Sequence, residues 1–204
     1  MGKRGKYKLM FPKATGEKIY LEKVVEIISQ NGGFIDSKDL TLKLQHFDKT
    51  RGKNIAENTA IKKQELATYF YLVTRRDKEM HLTEYGYSYS QSITDLDKIE
   101  TLLEVIGSNS FGRNNKALGS DSNVEPPLVL LKLCKDLGRV SKEDFGCILF
   151  YLEAEGIEYK VALKKLKRSN TPKEVKRIKG LEGGKFFDTK LVQFFNEMGI
   201  IDQL

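Results

Sequence analysis

The sequence predicts a mainly α-helical protein with short β-hairpins, arranged as two successive copies of one helix, turn, helix plan. Three observations lead there: an internal repeat, a strand-turn-strand signal after its first copy, and the absence of any apolar run long enough to span a bilayer. In the repeat, Val24-Val25-Glu26-Ile27-Ile28 followed by Gly32-Gly33-Phe34-Ile35-Asp36-Ser37-Lys38-Asp39-Leu40 parallels Val129-Leu130-Leu131-Lys132-Leu133 followed by Leu137-Gly138-Arg139-Val140-Ser141-Lys142-Glu143-Asp144-Phe145. Apolar residues recur at three- and four-residue steps, the period of a buried helix face. Glycine closes the first helix of each copy. Asp36 or Ser141 then stands where a side-chain oxygen accepts the free N–H groups that open the second helix.

The elements follow in chain order. Residues 1–17 form a basic N-terminal arm, and residues 18–92 a first domain. After its second helix, Lys49-Thr50-Arg51-Gly52-Lys53-Asn54 leads into a third helix over 57–70, with Ile61, Leu66, Ala67 and Phe70 assigned to one side. Tyr71-Leu72-Val73-Thr74 and Met80-His81-Leu82-Thr83 read as two strands around the polar turn Arg75-Arg76-Asp77-Lys78-Glu79. Three helices and a hairpin make a winged helix, so the repeat predicts tandem winged-helix (helix-turn-helix) domains. A further helix starts near Thr83. Residues 93–125 are expected to join the copies through an amphipathic helix carrying Leu96, Ile99, Leu102, Leu103 and Ile106, then a loop rich in Ser, Asn and Gly. Pro126-Pro127 opens the second domain, 126–204, where residues 186–198 supply an aromatic-rich helix and Gly199-Ile200-Ile201 the start of a strand. The sequence stops at Leu204 with half of the second wing still to come, which leads us to expect a fragment or natural truncation of something longer.

The formal net charge of +7 favours a polyanionic partner, and its distribution narrows the choice further. Residues 1–23 hold seven Lys/Arg against two Glu, residues 49–63 five against one, and residues 158–185 ten against three. The candidate DNA-binding residues lie in these clusters and in the first hairpin. Lys3, Arg4, Lys6 and Lys8 belong to the arm; Lys49, Arg51, Lys53 and Asn54 approach the third helix; Asn58, Lys62 and Lys63 are assigned to its exposed side. Arg75, Arg76 and Lys78 would stand at the wing tip beside a groove filled by that helix. Arg113 and Lys116 lie in the connecting loop, which either reaches DNA or is only a linker. In the second copy Lys160, Lys164, Lys167 and Arg168 fall at helical steps, followed by Lys173, Lys176, Arg177 and Lys179, a pattern suited to phosphates more than to bases. Asn58 is the candidate base reader, because an amide pairs with adenine at two positions; a plain solvent-facing residue is the alternative. Tyr69, Tyr71, Phe194 and Phe195 either stack on bases or fill the core.

The phrase Met80-His81-Leu82-Thr83-Glu84-Tyr85-Gly86, with Pro127-Leu128-Val129-Leu130-Leu131-Lys132-Leu133 and the segment from Leu137 to Phe145 beyond it, resembles the recognition region of AlwI-like and FokI-like type IIS restriction endonucleases and related nicking enzymes. Phe11-Pro12-Lys13 to Glu17-Lys18, ahead of Leu21-Glu22-Lys23-Val24-Val25, resembles their N-terminal arm and first helix. The resemblance implies a target-recognition module for double-stranded DNA. It further implies a separate PD-(D/E)XK nuclease domain or subunit that needs Mg²⁺, within a cytoplasmic restriction-modification system.

No active site is expected in this chain itself. A Mg²⁺-dependent nuclease needs at least two acidic oxygens on the metal and usually a lysine beside the attacking water. The nearest matches, Glu158-Tyr159-Lys160 and Glu174-Val175-Lys176, lack a second carboxylate and sit in basic, helical surroundings. Cys134 and Cys147 read as buried thiols, and with His46 and His81 they do not have the spacing of a zinc site. No cofactor or membrane partner is therefore expected. Two other function classes fit the same pattern: a tandem winged-helix replication initiator or transcriptional regulator, and a winged-helix module that binds protein.

Overall fold

The computed structural model describes residues 17–108, 124–182, 186–187 and 190–201, which fall into two compact units, one on each side of the segment 109–123. Both units are mainly helical, and the first adds a small antiparallel sheet. No helix among the described residues is long and apolar enough to cross a membrane.

The first unit opens with α1 (Lys18–Gln30), which buries Leu21, Val24, Val25 and Ile28 along one face. Its end is set by Gly32 and Gly33, at φ 79° and 93°, a left-handed backbone that any side chain would strain. Gly33 is also pressed against the Tyr87 hydroxyl, which would lie 1.7 Å from an added Cβ. β1 (Phe34–Asp36) follows, and Asp36 caps α2 (Ser37–Thr50) by accepting the Lys38 N–H at 2.7 Å. The third helix, α3 (Glu57–Tyr69), packs on α1 and α2. The chain turns at Tyr71, at φ 51°, so the hairpin's first strand begins at Val73, two residues later than the apolar pattern suggests.

β2 (Val73–Arg76) and β3 (Glu79–Leu82) join through the two-residue turn Asp77-Lys78, with Asp77 at φ 53°. β3 lies in the middle of the sheet, paired to β2 from Val73↔Leu82 to Arg76↔Glu79 and to β1 from Phe34↔His81 to Asp36↔Glu79. Thr83 caps α4 (Glu84–Gln91) by accepting the Gly86 N–H at 3.1 Å. Thr94 and Asp97 form a reciprocal cap on α5 (Asp95–Gly107). The helix expected to bridge the two copies is this α5, and it is tied into the first unit. Lys18 on α1 reaches Asp95 at 2.8 Å, Lys98 reaches Glu22 at 2.9 Å, and Leu102 and Val105 are fully buried.

The second unit begins with α6 (Pro126–Leu137), whose two leading prolines sit where no N–H is needed, and which stops at Gly138, φ 74°. Ser141 then caps α7 (Lys142–Glu153) in another reciprocal box with Asp144. α7 is the central element and is buried over Phe145, Gly146, Cys147, Ile148, Leu149, Phe150 and Tyr151. Gly146 admits the Phe187 ring, which would lie 2.3 Å from an added Cβ. α8 (Tyr159–Arg168) and α9 (Thr171–Glu182) pack on α7, and α10 (Leu191–Met198) packs on α6.

The strand expected at residues 199–201 is a turn instead. Gly199 adopts φ 74°, which lets the Ile200 N–H cap α10 at the Phe195 carbonyl (2.9 Å) while the Ile200 side chain is buried. Among the described residues the second unit therefore contains helices and no strand. The chain end at 204 lies outside the described residues.

Candidate nucleic-acid interface

The basic residues of the first unit divide into two populations. Lys63, assigned from sequence to the exposed side of α3 beside Lys62, is instead buried, with 6 % of its side chain exposed. Its ammonium donates to Asp48 at 2.7 Å and lies 3.4 Å from the centroid of the Tyr20 ring. Asp48, at 0 % exposure, also accepts from the Tyr20 hydroxyl at 2.7 Å. Burial first, and this hydrogen bond second, push the Tyr20 phenol up to about 12. The cluster ties the first turn of α1, the last turn of α2 and the middle of α3 together. Gln64 extends it by donating to Thr41 at 2.8 Å, both side chains buried.

With Lys63 and Gln64 inward, α3 turns a different face outward than the apolar pattern suggests. Ala60, Leu66 and Ala67 are buried, whereas Ile61, grouped from sequence with Leu66, Ala67 and Phe70, is 40 % exposed. Asn58, Ile61, Lys62 and Glu65, at i, i+3, i+4 and i+7, form one outward stripe, of which Glu65 is half-buried. Burial raises the Glu65 carboxyl above its ordinary range, and neighbouring Lys62 opposes that shift. The stripe combines an amide, a branched apolar group and one charge of each sign.

Lys49, Lys53 and Asn54 are exposed on the approach to α3. Arg51 is partly committed to the protein: its guanidinium lies over the Phe47 and Tyr20 rings at 5.2 and 5.8 Å and 3.8 Å from Asp48, with 32 % of the side chain exposed. Arg75, Arg76 and Lys78 are exposed around the hairpin turn, where Arg75 Nε donates to the Asp77 carbonyl at 3.2 Å. α3 itself packs against β2, so the outward stripe and the cationic turn are carried by neighbouring elements.

In the second unit Lys160, Lys164, Lys167 and Arg168 are exposed on α8, and Lys173, Lys176 and Lys179 on α9. Arg177 differs. It is clamped by Glu174 at 2.5 Å and Glu155 at 3.0 Å, with its guanidinium 5.3 Å from the Phe150 centroid. The Glu174 hydrogen bond is the main reason that its pKa rises above the usual arginine range. Lys165 pairs with Glu155 and lies over Tyr151, whose hydroxyl donates to Glu174 at 2.8 Å. This network joins α7, α8 and α9; only its Glu174–Arg177 pair, three residues apart on α9, has a local spacing in the sequence.

The other sequence candidates are placed as follows. Lys3, Arg4, Lys6, Lys8, Arg113 and Lys116 lie outside the described residues. Tyr69, Phe194 and Phe195 are buried, which removes them as stacking platforms, and Tyr71 is half-buried. Cys134 and Cys147 are buried free thiols, both raised by burial, Cys147 to about 12. Tyr159 donates to Asp136 at 2.8 Å, and Glu174 is committed to Arg177 and Tyr151. Among the described residues no group of three His, Cys, Asp or Glu side chains is arranged to hold a metal ion. No family model, no curated protein and no solved structure matches this chain.

Proposed function

We propose that the chain recognises a specific sequence in double-stranded DNA, with the first unit acting as a winged helix. Supporting that reading is the order α1, β1, α2, α3, β2, β3 with the strands arranged β1-β3-β2. In such a domain the third helix enters the major groove and the hairpin flanks it on the backbone. The observation that carries the proposal is the contrast between neighbouring elements. α3 offers a stripe with no net charge and with hydrogen-bonding and apolar groups, while the adjoining turn offers Arg75, Arg76 and Lys78. Base edges suit the first, phosphates the second. The α8 and α9 lysines of the second unit add a sequence-blind grip on the backbone.

The resemblance to type IIS recognition regions supplies the biological role, that of selecting the target for a Mg²⁺-dependent nuclease carried on another domain or subunit. Binding-site selection from a random duplex pool, with Mg²⁺ added to a parallel sample, tests this. The expected result is a short asymmetric consensus bound by one copy of the chain and left uncut. A palindromic consensus with self-association would favour an initiator or regulator. Retention of DNA with no consensus would remove sequence-specific recognition altogether.

A further inference from the structure

The outward stripe of α3 carries more information than a general affinity for DNA. Ile61 is 40 % exposed in the middle of a polar face, so docking of this face on DNA would withdraw its apolar surface from water. In the major groove of duplex DNA only thymine displays an apolar group, its 5-methyl. Asn58 lies one turn before Ile61 on the same face, and an exposed asparagine amide matches the N6 donor and N7 acceptor of adenine. Ile61 does not suit phosphate, and Glu65 at the far end of the stripe repels it, so the Asn58 amide beside them is assigned to a base edge. Lys62, between them, has its charge opposed by Glu65 on the next turn.

We infer that α3 reads an A·T-containing step, with Asn58 pairing to the adenine edge and Ile61 packing on a thymine methyl. The inference rests on the docking proposed above and names the base class that this docking selects.

The test uses the full chain and the consensus duplex from binding-site selection, with each thymine replaced in turn by deoxyuridine. That change removes the methyl and leaves every hydrogen-bonding group in place. One position is expected to weaken binding about fourfold, the size for one methyl withdrawn from apolar contact. Ile61→Ala binds the thymine duplex more weakly and abolishes the difference between thymine and uracil. Replacing the neighbouring adenine by 7-deazaadenine removes the N7 acceptor, weakens binding roughly tenfold, and has no further effect in Asn58→Ala. Circular dichroism on both variants confirms that these exposed substitutions leave the fold intact. Tolerance of uracil at every position, or a uracil penalty that persists in Ile61→Ala, overturns the inference while leaving DNA recognition standing. Failure to bind any duplex removes the docking itself.

Discussion

Asp48 and Lys63 show how much one side chain's direction decides. A buried ion pair holds its geometry only while both partners are present, and removal of one leaves an uncompensated charge in the core. Lys63→Met should therefore destabilise the first unit by roughly 3–5 kcal/mol in urea unfolding, and adding Asp48→Asn to it should recover much of that loss. A variant of unchanged stability but weaker DNA binding would return Lys63 to the surface. Nothing local in the sequence warns of the burial. Lys62 and Lys63 are adjacent lysines in a basic stretch, and the partner that draws one of them inward lies fifteen residues earlier, on another helix. Ile61 departs in the opposite sense: an isoleucine grouped with Leu66, Ala67 and Phe70 looks like core, but the inward arc of α3 is taken by Ala60, Gln64 and Ala67.

The helices and the hairpin were legible because local chemistry writes them. Asp36, Thr83 and Ser141 accept hydrogen bonds at helix starts, prolines open α6, glycines end α1 and α6, and a polar turn separates β2 from β3. What stayed hidden depends on side chains from distant elements. α5 reads as a connector until Lys18 and Lys98 are seen to hold it against α1. The links from Tyr151 and Glu155 to the local Glu174–Arg177 pair of α9 are of the same kind, and the clamp they form makes a pH prediction. Hydrogen bonding to Arg177, ahead of that to Tyr151, lowers the Glu174 carboxyl below its ordinary 4.5. A depressed folded pKa means stability that is complete above the unfolded value and lost as pH falls through the folded one. Glu174→Gln should therefore melt at a lower temperature than the parent chain at pH 7, and the two should converge as pH falls through the acid range. A constant difference between them at every pH would show that the clamp does not depend on charge.

For the molecule as a whole, the count of 35 Lys and Arg overstates the cations that a polyanion meets, while the net charge of +7 already includes their carboxylate partners. Lys63 is neutralised inside the first unit, while Arg177 and Lys165 are held by carboxylates in the second. Exposed and unpaired cations are the ones that displace counterions, and α8 presents four of the assigned ones together. Changing Lys160, Lys164, Lys167 and Arg168 to alanine should weaken binding to consensus and random duplex alike. It should also reduce the slope of log affinity against log salt by roughly 3–4. An unchanged slope would mean that the second unit does not touch the backbone.

The two neighbouring lysines of α3 also answer to different histories. A lineage that shifts to a new target is free to vary positions 58, 61, 62 and 65, since those side chains face outward. Position 63 is not free in the same way, because any change there strands Asp48 unless position 48 changes with it. Divergence in what is recognised should therefore accumulate around a lysine and an aspartate that are kept, or replaced, together.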